Sequence, residues 1–182
     1  MIITLTGKIG SGKDTVRSLL NVPSDFTVID ADKLGHELLE EKKIVEKIKE
    51  IFPQTVIDGK ISRKALAKAV FPRKIRILNN IIHPLLIEKI RQQVTSKTII
   101  HAALLKELKL RKTSNIVIFV DTRLDIVLKR LGVKWSKKQI LQRWKAQVST
   151  VWYRKHADII IKNNSSLEEL KKEIIKKCQT LF

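Results

Sequence analysis

MIITLTGKIGSGKDTVRSLL, residues 1–20, is the stretch whose reading decides the fold. Met1 to Thr6 is a short apolar, β-branched run. Gly7-Lys8-Ile9-Gly10-Ser11-Gly12-Lys13 follows, and Thr15 to Leu20 reads as the start of a helix. A buried strand, a glycine loop and a helix N-terminus in that order make an anion site. Glycines let successive backbone N–H groups approach a polyphosphate, and the helix start adds orphan N–H groups and partial positive charge. Lys8, Ile9, Gly10, Ser11 and Gly12 are thus expected to wrap the phosphates, with Lys13 bringing a full charge to them. The competing reading is an ordinary glycine-rich turn between strand and helix. One position departs from the G-x-x-x-x-G-K-[ST] pattern. Asp14 stands where a hydroxyl would ligate Mg²⁺, with Thr15 next. Carboxylates also ligate Mg²⁺, so the expected ligand is Asp14, Thr15 or a water.

The chain has 182 residues and is 43% hydrophobic, enough for one substantial core with room for a small inserted subdomain. It lacks an apolar run of membrane-spanning length, and its start does not read as a signal peptide. A cytoplasmic protein with no membrane partner is expected. Cys178 is the single cysteine, which fits a reducing compartment. The net charge of +19 points to anionic partners: nucleotides, nucleic acid or acidic lipid. The plainer reading is lysine-rich solvation of helix faces, as at Lys171, Lys172, Lys176 and Lys177. Trp135, Trp144 and Trp152 lie in a basic stretch, which keeps a nucleic-acid reading open as the less favoured one.

The pattern predicts further strands at 26–30, 97–102, 115–120 and 157–162, separated by helical segments. One helix is expected from Asp30-Ala31-Asp32 to about Ile51. Asp58-Gly59 marks a tight turn. Helices are expected over 62–71, with Ser62 as N-cap, over 73–82 and, after an interruption at His83-Pro84, over 85–94. Pro72 is read as a breaker. Shorter helices are expected over 104–110, 122–131 and 136–148. A final helix after Ser166 is expected to bury Leu167, Leu170, Ile174 and Ile175. Alternation of this kind gives an α/β fold, a parallel five-stranded sheet flanked by helices. The chain is expected to be a single domain, 1–182, with a helical cap over roughly 58–96 and a lid region over roughly 123–148. Asp30 and Asp32 end the second strand, where ligands of such sheets bind. They read equally as chemical carboxylates or as helix caps. Arg63 sits in the first turn of its helix, a poor place for a cation unless an anion binds there. His83 by itself reads more readily as structural.

Five segments together resemble the dephospho-coenzyme A kinase family of P-loop kinases. They are Thr6 to Lys13; Val28-Ile29-Asp30-Ala31-Asp32 with His36-Glu37; Asp58-Gly59-Lys60-Ile61-Ser62-Arg63 with Leu66 and Val70-Phe71; Asn80-Ile81-Ile82-His83-Pro84; and Ala157-Asp158 with Asn163. The resemblance implies ATP- and Mg²⁺-dependent transfer of the γ-phosphoryl group to the ribose 3′-hydroxyl of dephospho-coenzyme A, the last step of coenzyme A synthesis. It implies Asp32 as general base or hydroxyl orienter, with Lys13 and Arg130 as the other catalytic groups. Lys8 to Thr15, Arg143 and Asn163 would bind ATP. Asp32, Arg63 and His83 would bind the acceptor, and Gln147 and Arg143 match a basic lid helix. A monomer or small homo-oligomer is expected. Several positions depart from the family: Asp14; Ala103-Leu104-Leu105 for a Pro-Leu-Leu segment, with Glu107 retained; no glutamine between Arg123 and Arg130; and Tyr153 where a basic residue is expected. A nucleoside or deoxynucleoside monophosphate kinase is the alternative enzyme, slightly favoured by Gly-Lys-Asp-Thr. A nucleic-acid-binding P-loop protein is the alternative outside enzymes.

Overall fold

Three β-branched, largely apolar runs, at 2–7, 98–101 and 116–121, build the centre of the sheet, as expected of parallel strands buried on both faces. The computed structural model describes residues 1–71 and 73–181. Pro72, read above as a helix breaker, lies outside the described residues. The chain divides into two compact units, residues 1–30 with 93–182, and residues 31–92.

The first unit holds the sheet. Its strands are β1 (Ile2–Gly7), β2 (Thr27–Asp30), β5 (Thr98–His101), β6 (Ile116–Asp121) and β7 (Ile159–Lys162). They pair in the order β2-β5-β1-β6-β7, every pair parallel. The expected α/β architecture is therefore observed, with β1 in the middle. Helix α1 (Lys13–Leu19) follows β1, and α9 (Leu167–Cys178) follows β7. Val16, Leu20, Leu170, Ile174 and Cys178 share one core with Ile3, Leu5, Ile118 and Ile161 of the sheet. The expected apolar stripe of α9 shifts accordingly. Leu167 and Ile175 are 51% and 62% exposed, and Cys178 takes a core place.

Three further helices complete this unit: α6 (Leu124–Leu131), α7 (Lys137–Ala146) and α8 (Thr150–His156). Ser136 and Gln139 form a capping box at the start of α7. The helix stops at Ala146 rather than Val148, which leaves Gln147 extended and Val148 outside the helix. α8 was not expected. It is signalled only by its Ser149 cap, whose hydroxyl accepts from Trp152 N–H. It places Tyr153 in the core, stacked on Phe119 at 4.9 Å with its hydroxyl donating to Ala103 C=O at 2.7 Å. The helix expected over 104–110 is instead a series of turns ending in a 3₁₀ segment, Leu110–Lys112, with Lys109 left-handed. Leu105, Leu108 and Leu110 are all buried there, at spacings that a regular helix would spread over more than one face.

The second unit comprises α2 (Ala31–Leu38), α3 (Lys42–Ile51), a 3₁₀ turn, the hairpin β3 (Val56–Ile57) and β4 (Lys60–Ile61), α4 (Arg63–Val70) and α5 (Ile75–Gln93). The expected single helix to Ile51 is two. N–H groups of Leu39, Glu40 and Glu41 bond three residues back, tightening and ending α2. The break lets both Leu34/Leu38 and Ile44/Ile48 reach the interior. Asp58 and Gly59 turn the hairpin with φ of 49° and 72°, which the Asp-Gly pair accommodates. Ser62 Oγ caps α4 by accepting from Ala65 N–H. Helix α5 runs unbroken through His83-Pro84, contrary to the expected interruption. Proline removes its own N–H, and burial of Ile81, Ile82, Leu86 and Ile90 on either side holds the helix together.

Tyr153→Phe keeps the ring stack but strands the Ala103 carbonyl, and is expected to lower stability by about 1–2 kcal/mol in urea titration. Burial holds the His83 imidazole below its ordinary pKa, so it favours the neutral form in the fold. The unfolded chain then binds more protons, and stability falls as pH drops below about 6.5. His83→Gln is expected to flatten that part of the pH–stability curve.

Candidate functional site: the phosphate loop and its braces

The loop from Gly7 to Lys13 leaves the central strand and enters α1, and its shape is set by what holds Ser11. The Ser11 carbonyl accepts from Thr122 Oγ1 at 2.9 Å, from Asn163 Nδ2 at 2.8 Å and from Arg130 Nη1 at 3.5 Å. Arg130 Nη2 also donates to Asn163 Oδ1 at 3.0 Å and to the Asn163 carbonyl at 3.2 Å. Asn163 and Arg130, expected at the ATP and catalytic centre, thus brace the loop's backbone. Thr122 was missed by sequence reasoning. Its only signal was its place directly after a strongly predicted strand.

Two glycines are required by close approach. A Cβ on Gly7 would lie 2.3 Å from Ser11 Oγ, and one on Gly12 2.3 Å from Asn163 Nδ2, where φ is also +82°. The buried hydroxyls of Thr6 and Ser11 have no hydrogen-bond partner within the described protein. Lys8 is almost wholly buried, its ammonium donating to Val148 C=O at 3.1 Å and lying 4.2 Å above the Trp144 ring. Burial lowers its pKa from the ordinary lysine value, and Arg130 is shifted downward by the same cause. Ile9 N–H donates to Gln147 Oε1 at 2.8 Å. The early end of α7 makes both contacts possible. Arg143 lies 4.6 Å over the Trp135 ring, and Trp152 stacks on His156 at 4.0 Å. The tryptophan rings that had kept a nucleic-acid reading open are therefore engaged by side chains of this chain.

Oxygen donors gather around the loop's end. Asp14, in the first turn of α1, is 77% exposed at its side chain, and Thr15 beside it is exposed. Asp30 ends β2 opposite His101 in strand register. His101 is 1% exposed, with Nε2 3.3 Å from Asp14 Oδ1 and Nδ1 3.7 Å from Asp30 Oδ2. Carboxylate and hydroxyl donors of this kind suit a hard cation such as Mg²⁺, which keeps several of its waters. Among the described residues no group of three or more His, Cys, Asp or Glu forms a cation cage. Beside the loop, Gly12, Thr15, Arg130, Asn163, Ser165 and Leu167 line a cavity of about 220 Å³.

In the second unit, Asp32 lies exposed in the first turn of α2, its carboxylate favourable to the helix dipole. A cavity of about 350 Å³ is lined by His36, Leu39, Val45, Lys60, Ile61 and Arg63, among others. Lys60 and Arg63 bring two cations to it and Glu40 a carboxylate, beside apolar side chains. His83 is half-buried on α5 and is not among the residues lining this cavity.

Comparison with known proteins agrees with this geometry. The family model described as dephospho-CoA kinase matches residues 1–169. A curated dephospho-CoA kinase from Fusobacterium nucleatum is 36% identical over 191 residues, covering 100% of this chain and 98% of its own. Among solved structures, TT1252 from Thermus thermophilus superposes with a TM-score of 0.78 at 30% identity, over 97% of this chain and 94% of its own. A dephospho-CoA kinase from Campylobacter jejuni gives 0.68 at 27% identity, over 96% and 94%. Among the described residues no helix is long and apolar enough to cross a membrane. With a phosphate loop on the central strand and likeness running along nearly the whole chain, the protein belongs to the dephospho-CoA kinase family.

Proposed function

We propose that the chain transfers the γ-phosphoryl group of ATP to the ribose 3′-hydroxyl of dephospho-coenzyme A, releasing ADP and coenzyme A. One observation carries this reading: the braced phosphate loop belongs to a chain that the family matches along residues 1–169. Lys8 to Thr15 receive the phosphates, with Lys13 neutralising charge as it moves from the γ-phosphoryl group to the leaving oxygen. Arg130 and Asn163 act on the donor side, where the cavity beside Gly12 and Thr15 suits the nucleoside. Arg143 and Gln147 belong to the lid, and Gln147 already accepts from the Ile9 N–H that a phosphate oxygen would use.

Asp32 is assigned the acceptor hydroxyl. Its carboxylate accepts the 3′-OH proton as the oxygen bonds to the γ-phosphorus and the bond to the β-bridging oxygen breaks. Arg63, with Lys60 in a cavity that also holds Glu40 and apolar side chains, suits a diphosphate joined to a longer arm. His83 is placed on the same acceptor side. Asp14 or Thr15 would hold Mg²⁺, which would supply charge neutralisation for the phosphates. The charge of +19 then serves to attract two polyanionic substrates. Residues of roughly 58–96 are read as the acceptor-binding cap and roughly 123–148 as the lid. The reading is of an enzyme of the cytoplasm.

ADP release should be seen with dephospho-coenzyme A and not with a panel of nucleoside monophosphates. Turnover of a monophosphate alone would overturn the acceptor assignment. Lys13→Ala is expected to lower kcat by about 10²–10³-fold. Asp32→Asn should lower kcat by about 10²–10⁴-fold with ATP affinity unchanged. Near wild-type turnover in Asp32→Asn would mean that Asp32 serves only its helix.

A further inference from the structure

A buried imidazole at the end of an otherwise apolar strand needs an explanation that phosphate binding alone does not give. His101 closes β5, level with Leu5 of β1 and Asp30 of β2. Its two ring nitrogens face two carboxylates, Asp14 at 3.3 Å and Asp30 at 3.7 Å. The imidazole is almost wholly buried, while the Asp14 carboxylate is mostly open to solvent. The imidazole thus lies on the protein side of the Asp14 carboxylate, whose other side is open to solvent.

The chemistry of residue 14 explains why such a support is useful. A hydroxyl there faces a cation without adding charge. A carboxylate brings a negative charge beside the phosphates and a head group that rotates broadly about its last torsion. A fixed N–H donor beneath the carboxylate meets both difficulties, since donors to a ligating carboxylate orient it and take up part of its charge.

We propose that His101 is a positioning residue for the cation that accompanies the nucleotide. A ring N–H donated from Nε2 to one Asp14 oxygen sets the carboxylate, leaving its other oxygen for the cation, while burial at the end of β5 fixes the ring. The proposal rests on Asp14 being a cation ligand. It explains how this chain tolerates an aspartate where the loop pattern has a hydroxyl.

The test is calorimetric titration of ADP with and without Mg²⁺. In the parent protein Mg²⁺ should tighten ADP binding. His101→Leu should reduce that gain by about tenfold while leaving metal-free ADP affinity unchanged. His101→Gln, which keeps an N–H donor at comparable reach, should recover much of the gain and covers the case in which the leucine variant fails to fold. In an Asp14→Ser background, where a hydroxyl needs no such support, His101→Leu should have no effect on the Mg²⁺ gain. An undiminished gain in His101→Leu, or an equal loss in the Asp14→Ser background, overturns the proposal. Asp14→Ala separates the two levels. Loss of the gain there, with none in His101→Leu, sinks only the role of His101. An unchanged gain in Asp14→Ala sinks the ligand assignment and the proposal with it.

Discussion

The Ser11 carbonyl is held by three donors from two other segments, and the shape of the phosphate loop follows from that attachment. A peptide unit is planar, so fixing the direction of a carbonyl fixes the direction of the N–H on the same plane. Thr122 and Asn163 come from the ends of β6 and β7, the two strands on one side of β1. The loop is therefore tied to the sheet on that side. Parallel pairing of β1, β6 and β7 sets the three strand ends level and brings the donors within reach. Gly12 is a glycine because Asn163 occupies the space a side chain would need.

On its other side the loop is met by the end of α7. Lys8 and Ile9 are engaged by Trp144, Gln147 and Val148. An amide oxygen on a loop N–H, and an ammonium over an indole ring, are contacts that a phosphate competes with directly. They give the end of α7 a defined place against the loop.

Positions that depart from the family pattern become intelligible through their neighbours. Tyr153 replaces an expected cation and fills the core against Phe119, tying α8 to the Ala103 carbonyl. Arg154, the next residue, supplies a cation, paired with the buried Asp121 carboxylate. Asp14 is matched by His101, a residue that nothing in the linear sequence connects to it.

The sequence by itself determined the parallel sheet, the glycine loop, the tight turn at Asp58-Gly59 and the caps at Ser62 and Ser166. Each is encoded within a few neighbouring residues, by β-branched runs, glycines of positive φ or a hydroxyl three residues before an N–H. Where the reading failed, burial overrode the local signal. Pro84 lies inside a helix because apolar residues on both sides are buried, and residues 104–110 turn irregularly so that three leucines reach the core. The five family segments gave the reaction, but not the division of labour around the loop. That Asn163 and Arg130 grip the Ser11 carbonyl, that Thr122 joins them, and that His101 stands under Asp14 were decided only in three dimensions. Such partners lie dozens to more than a hundred residues apart, and only the register of the parallel strands brings them together.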